Sequence, residues 1–124
     1  MTNINELYKC DICNNVVEIV HEGADALVCC SEAMQLQEEN VPQKENLHFA
    51  HIEENGINKK IKFNHPMTQE HHFNFIEVIS NNGKYLKRKY LKINEPCEME
   101  FKCDCTDGFM VRILCNKDGV WTTR

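Results

Sequence analysis

Four cysteines constrain this chain more than anything else in it. Cys10 and Cys13 are separated by two residues, Cys29 and Cys30 are adjacent, and all four fall in a short N-terminal segment. Such a segment is too small to build an apolar core. Four thiolates on one ion solve that problem, because metal-binding free energy then becomes folding free energy. Disulfides are the poorer reading: adjacent cysteines rarely bridge each other, since the bond geometry strains the peptide between them. The start, Met-Thr-Asn-Ile-Asn-Glu, has neither a cationic end nor an apolar run. No export signal is read there, and a reducing, cytoplasmic location is expected. A tetrahedron of thiolates accepts zinc or iron, and softness alone does not separate the two.

The remainder reads as a second, all-β domain. At 124 residues the chain suits one modest domain plus a mini-domain. The polar, Pro-containing stretch from Gln37 to Glu45 reads as a linker, which gives a first domain over residues 1–39 and a second over 40–124. Beyond it, apolar runs of β type alternate with turn signals. Residues 47–53 and 57–63 flank Asn55-Gly56, 72–80 and 84–93 flank Asn81-Asn82-Gly83, and Phe109, Val111 and Ile113 alternate onto one buried face. No segment keeps a helical period. A net charge of −5 and a pI near 5.7 exclude the basic field of a nucleic-acid binder. No apolar run is long enough to cross a membrane.

A second group of potential ligands is chemically different: His48, His65-Pro66-Met67, His71 and Cys115. It mixes imidazoles with one soft sulfur, a set that can leave a coordination position open for redox chemistry. His65 and His71 are separated by a Pro-containing stretch that cannot be one helix, so they are not the helical zinc pair. Spacing alone leaves open whether His48, His65 and His71 share a metal with Cys115.

Taken together, Tyr8-Lys9-Cys10-Asp11-Ile12-Cys13, Leu27-Val28-Cys29-Cys30, His65-Pro66-Met67 with His71, Ile76-Glu77, and Cys115-Asn116 with Gly119 and Trp121 resemble the desulfoferrodoxin family, the two-iron superoxide reductases. The resemblance implies a small desulforedoxin-like metal knuckle followed by an immunoglobulin-like β-sandwich. It implies two non-haem irons per chain. Cys10, Cys13, Cys29 and Cys30 would hold the first, where zinc also fits, and equatorial His48, His65 and His71 with axial Cys115 the second. The implied activity is reduction of superoxide to hydrogen peroxide, with an external electron donor such as a rubredoxin-like protein, and a homodimeric assembly.

The sequence departs from the family at two places. Where the family carries a fourth histidine three residues after the axial cysteine, this chain has Asp118. That carboxylate either ligates iron, cancelling positive charge and favouring the ferric state, or only shapes the Asp118-Gly119 turn. In the latter case the equatorial set would be three histidines with water, or with a recruited His51 or His72. A competing reading is therefore an iron-binding electron carrier whose second site is impaired. The Glu-Lys pair that the family has just ahead of its first histidine is shifted here to Lys44-Glu45, the candidates for attracting superoxide and for capping the oxidised site. Ser31 and Ala33 stand where a Gly and a Pro are usual. The basic run Lys84, Lys87, Arg88, Lys89 and Lys92 reads as a solvated strand face, and Cys97, Cys103 and Cys105 as reduced thiols.

Overall fold

The protein is described by a computed structural model covering residues 1–24 and 26–123. Among these residues all regular structure is strand: β1 (Leu7–Lys9), β2 (Val16–Glu18), β3 (Val28–Cys29), β4 (Glu32–Ala33), β5 (Gln35–Leu36), β6 (Glu39–Asn40), β7 (His51–Asn55), β8 (Asn58–Lys62), β9 (Phe73–Ser80), β10 (Leu86–Tyr90), β11 (Glu98–Lys102), β12 (Phe109–Cys115) and β13 (Gly119–Thr123). No helix is long and apolar enough to cross a membrane. The chain divides into two compact units, Met1–Glu38 and Glu39–Arg124.

The first unit has almost no apolar interior. Among the described residues its buried apolar side chains are Leu7, Cys10 and Ile19, far short of what offsets the entropy of ordering the chain. Strands β2-β1-β5 form one small sheet and β3-β4 a separate hairpin. Cys29 pairs with Glu32 across that hairpin, leaving Cys30-Ser31 as a two-residue loop with φ of 54° and 64°. Both residues are left-handed, the conformation such a tight loop demands and one that side chains resist.

The second unit is a sandwich of a five-stranded sheet, β10-β9-β12-β13-β6, on a three-stranded sheet, β11-β8-β7. Ile61 and Phe63 from one side, Met99 and Phe101 beside them, and Ile76, Val78, Val111 and Ile113 from the other form one buried cluster. The expected alternation in β12 is visible there: Val111 and Ile113 are buried and Phe109 packs partly buried against them. The first hairpin forms one residue later than Asn55-Gly56 suggests. Asn55 pairs with Asn58, so Gly56-Ile57 is the loop, with Gly56 at φ 64°.

Part of the stretch read as a linker is a strand. Glu39–Asn40 pairs in parallel with Val120 and Trp121, and the Glu39 carboxylate accepts from Arg112 Nη1 at 3.2 Å. Arg112 is itself buried and donates to the fully buried Glu77 at 2.9 Å, which Arg88 also grips. Desolvating these charges is offset only because each has a counter-charge. The basic run is correspondingly less free than a solvated face: Lys87 Nζ donates to Glu100 O, and Lys89 Nζ to Glu98 O and the Glu95 carboxylate.

Candidate metal centres

The first centre is built from two turns. After β1 the chain folds back through Cys10-Asp11-Ile12-Cys13, with Asn14 N donating to Cys10 O at 2.9 Å and Asn14 itself at φ 67°. The left-handed loop after β3 delivers Cys29 and Cys30. The four sulfurs lie within 4.8 Å of one another, with Cys13 to Cys29 at 3.5 Å and Cys29 to Cys30 at 3.9 Å. A tetrahedron with metal–sulfur bonds of roughly 2.3 Å has edges of about 3.8 Å, so the set is dimensioned for one ion. The N–H groups of Cys13 and Ile12 draw the Cys10 thiol down to about 7, whereas hydrogen bonding with the Cys13 sulfur pushes Cys29 up to about 12. Four thiolates this close cannot all ionise without a cation among them.

The second centre gathers residues from three separate loops of the sandwich. His48 ends the turn ahead of β7, His65 and His71 lie on the crossing from β8 to β9, and Cys115 and Asp118 flank the β12–β13 turn. That turn is a three-residue loop, 116–118, closed by Cys115 pairing with Gly119 at φ 80°. Opposite it the β9 strand is irregular: Cys115 pairs with Phe73 but Leu114 with Phe75. The resulting bulge re-aims the start of β9 just where His71 enters it.

Three edges of 3.1 Å define a ring: His65 Nε2 to His71 Nε2, His71 Nε2 to Asp118 Oδ2, and Asp118 Oδ2 to His48 Nε2. Neighbouring ligands set at right angles on one ion at about 2.1 Å stand roughly 3.0 Å apart. Cys115 Sγ is 3.6 Å from His65 Nε2 and 3.7 Å from Asp118 Oδ2, two opposite corners, which puts it beneath the ring rather than in it. Of the residues expected at this site, His48, His65, His71, Cys115 and Asp118 all meet. Asp118 is not confined to turn geometry; its carboxylate fills the fourth corner. His51 and His72 are not in this group: the His51 ring meets Phe49 edge-on, and His72 Nδ1 contacts Thr68 O. Lys44 and Glu45 are exposed on the turn before His48, and among the described contacts neither reaches the ring.

The electrostatics of the ring call for a cation. His48 Nδ1 is 2.7 Å from Asn46 Oδ1, an acceptor, so Nδ1 carries the proton and Nε2 presents a lone pair. That lone pair faces the Asp118 oxygen, acceptor to acceptor, which is why buried His48 Nε2 has no hydrogen-bond partner although the oxygen is 3.1 Å away. His65 is fixed the same way by Pro66 O at 2.7 Å. Protonation does not resolve the conflict easily, because burial lowers His48 and takes His65 down to about 4. Asp118 is raised by desolvation, but hydrogen bonding to His71 and the charges of His48 and His71 leave it below the usual carboxylate range. Burial raises Cys115, opposed by the N–H groups of Asp118 and Lys117 that point at its sulfur. A metal ion satisfies every one of these lone pairs at once.

Two further residues support the ring without ligating. Asn46 also accepts from His48 N at 2.8 Å, an Asx turn whose only local signal is an Asn two residues before a His. Trp121 stacks on His48 with centroids 4.3 Å apart and planes 4° from parallel, while its Nε1 donates to Asp118 O at 2.9 Å. Phe73 stacks on His65 at 4.0 Å. The ring is thus walled on one side, and its open side is that of His71 and Asp118, whose side chains are 22% and 41% exposed.

Residues 2–37 match the family model described as desulfoferrodoxin, N-terminal domain, and residues 33–124 the model described as desulfoferrodoxin. A desulfoferrodoxin homolog of Methanothermobacter thermautotrophicus is 38% identical, covering 98% of this chain and 99% of its own length. The desulfoferrodoxin of Nitratidesulfovibrio vulgaris is 35% identical, covering 98% of this chain and 97% of its own length. In fold, the superoxide reductase of Treponema pallidum superposes with a TM-score of 0.75 at 21% identity, covering 96% of this chain and 97% of its own. The four-cysteine and histidine–cysteine clusters, joined with these matches, are consistent with two iron centres per chain. By its sequence over nearly the whole length and by its all-β architecture, the chain belongs to the desulfoferrodoxin family.

Proposed function

We propose that this chain reduces superoxide to hydrogen peroxide at a non-haem iron held by His48, His65, His71 and Cys115, with Asp118 as a further ligand, while Cys10, Cys13, Cys29 and Cys30 hold the other iron. One observation carries the reading: three imidazole Nε2 atoms, a thiol sulfur and a carboxylate oxygen converge with one side open to solvent. When bound, ferrous iron supplies the single electron that superoxide accepts. Two protons from solvent complete the balance to hydrogen peroxide, and an external donor, such as a rubredoxin-like protein, restores the electron.

The residues divide the remaining work. Neutral imidazoles add no charge of their own, so the site keeps what positive charge the thiolate leaves it. Burial raises Cys115 and the N–H groups of Asp118 and Lys117 only partly oppose it, so the thiolate that a metal requires would come with the bound cation. Trp121 and Phe73 exclude water from the His48 and His65 side, so substrate and protons approach past His71 and Asp118. Asp118 works against the incoming anion. Lys44, exposed four residues before His48, is the candidate for offsetting that charge.

Asp118 also favours a second reading, an iron-binding electron carrier without reductase competence. The two separate in one assay. Ferrous, iron-loaded protein that consumes superoxide and releases one peroxide per superoxide is a reductase; one peroxide per two superoxides would be dismutation. No consumption above free iron would leave the carrier.

A further inference from the structure

The structure brings the sulfurs of Cys103 and Cys105 into contact, with Cα atoms 5.2 Å apart. We propose that this Cys103-Asp104-Cys105 pair is a reversible two-electron thiol/disulfide site that takes a small hydroperoxide as oxidant and a dithiol as reductant. Cys105 is the sulfur attacked and Cys103 the resolving one.

Three observations carry the proposal. The bridge spans a single intervening residue, and a cross-link stabilises mainly by closing long loops in the unfolded chain, so this one is a poor structural staple. The two sulfurs differ in access: Cys103 is 6% exposed within the core cluster, whereas Cys105 is only partly buried against it. The backbone holding them is fixed on both sides, by Cys103 N donating to Ile57 O, Gly108 N to Cys105 O, and Asn81 Nδ2 to Asp107 O. The pair can therefore open and close without moving the sandwich.

In the oxidising direction the Cys105 thiolate attacks hydrogen peroxide, breaking the O–O bond to give a sulfenic acid and one water. The Cys103 thiol then attacks that sulfur and expels the second oxygen as water. Two thiols lose two electrons and two protons, and the peroxide gains them. The inference does not rest on the superoxide reading, because added peroxide serves as the oxidant.

Trypsin releases residues 103–112 as one peptide holding both sulfurs and no other cysteine. The test treats reduced, iron-loaded protein with hydrogen peroxide, alkylates it and maps that peptide. Expected is a peptide lighter by two hydrogens and closed to alkylation, which reverts in dithiothreitol under native conditions. In Cys103→Ser, Cys105 should accumulate a sulfenic acid trapped by dimedone; in Cys105→Ser, the peptide should stay unreacted. Full alkylation after peroxide, a bridge that survives excess dithiol, or dimedone on Cys103 in Cys105→Ser would each overturn the assignment.

Discussion

Replacing Asp118 by histidine should accelerate the reaction with superoxide, and the size of the effect follows from the ring. Neighbouring ligands on one ion stand roughly 3–4 Å apart, so an anion entering the open side comes about that close to the Asp118 carboxylate. Two like unit charges at that separation repel by about 1 kcal/mol in water and about 4 kcal/mol at an effective dielectric near 20. With 41% of the Asp118 side chain exposed, screening is substantial and the lower half of that range applies. A gain of about 1–2 kcal/mol is roughly a 5- to 30-fold increase in the second-order rate constant. Pulse radiolysis of the ferrous protein reads that constant directly, and iron content must be matched between variants. The ionic-strength slope gives an independent readout, since a more positive site attracts the anion more steeply at low salt. An unchanged rate and slope in a fully loaded Asp118→His protein would mean that the carboxylate does not face the reacting anion.

Cys115→Ser should abolish any thiolate-to-iron charge-transfer absorption while sparing the spectrum of the four-cysteine site; a band that persists would disprove the assignment of its sulfur beneath the ring. Asn46→Ala removes the acceptor that fixes the His48 tautomer and should weaken iron binding at the second site by about 10- to 100-fold in chelator competition, and equal affinity would rule that role out. Ser31→Gly relieves a left-handed side chain at φ 64° and should stabilise the first unit by about 0.5–1 kcal/mol after glycine's entropy is counted, read as denaturant loss of the four-cysteine absorption. For metal-free protein, His65 stays neutral in the fold down to about 4 but titrates near its ordinary 6.5 when unfolded, so the unfolded state binds more protons in between. Stability should therefore fall as pH drops from about 6.5 towards 4 in urea titrations, and His65→Gln should flatten that slope.

What could be read from the sequence was local. Cys-x-x-Cys and Cys-Cys sit in tight turns, so their spacing already sets each pair of sulfurs side by side, and the Asn and Gly signals at the hairpins mark where strands reverse even when, at Gly56, the loop forms one residue later. The alternation of Val111 and Ile113 likewise declares a buried face, because side chains in a strand point to opposite sides in turn. Only the tertiary structure decided the rest. Glu39–Asn40 looked like linker because a two-residue strand has no periodicity of its own; its place beside β13 depends on Val120, Trp121 and Arg112, far along the chain. Whether Asp118 was a turn residue or a corner of the ring depended on where its carboxylate went relative to His48 and His71, which come from other loops. Charge and coordination act through space, and the sequence records separation along the chain; the fold alone converts one into the other.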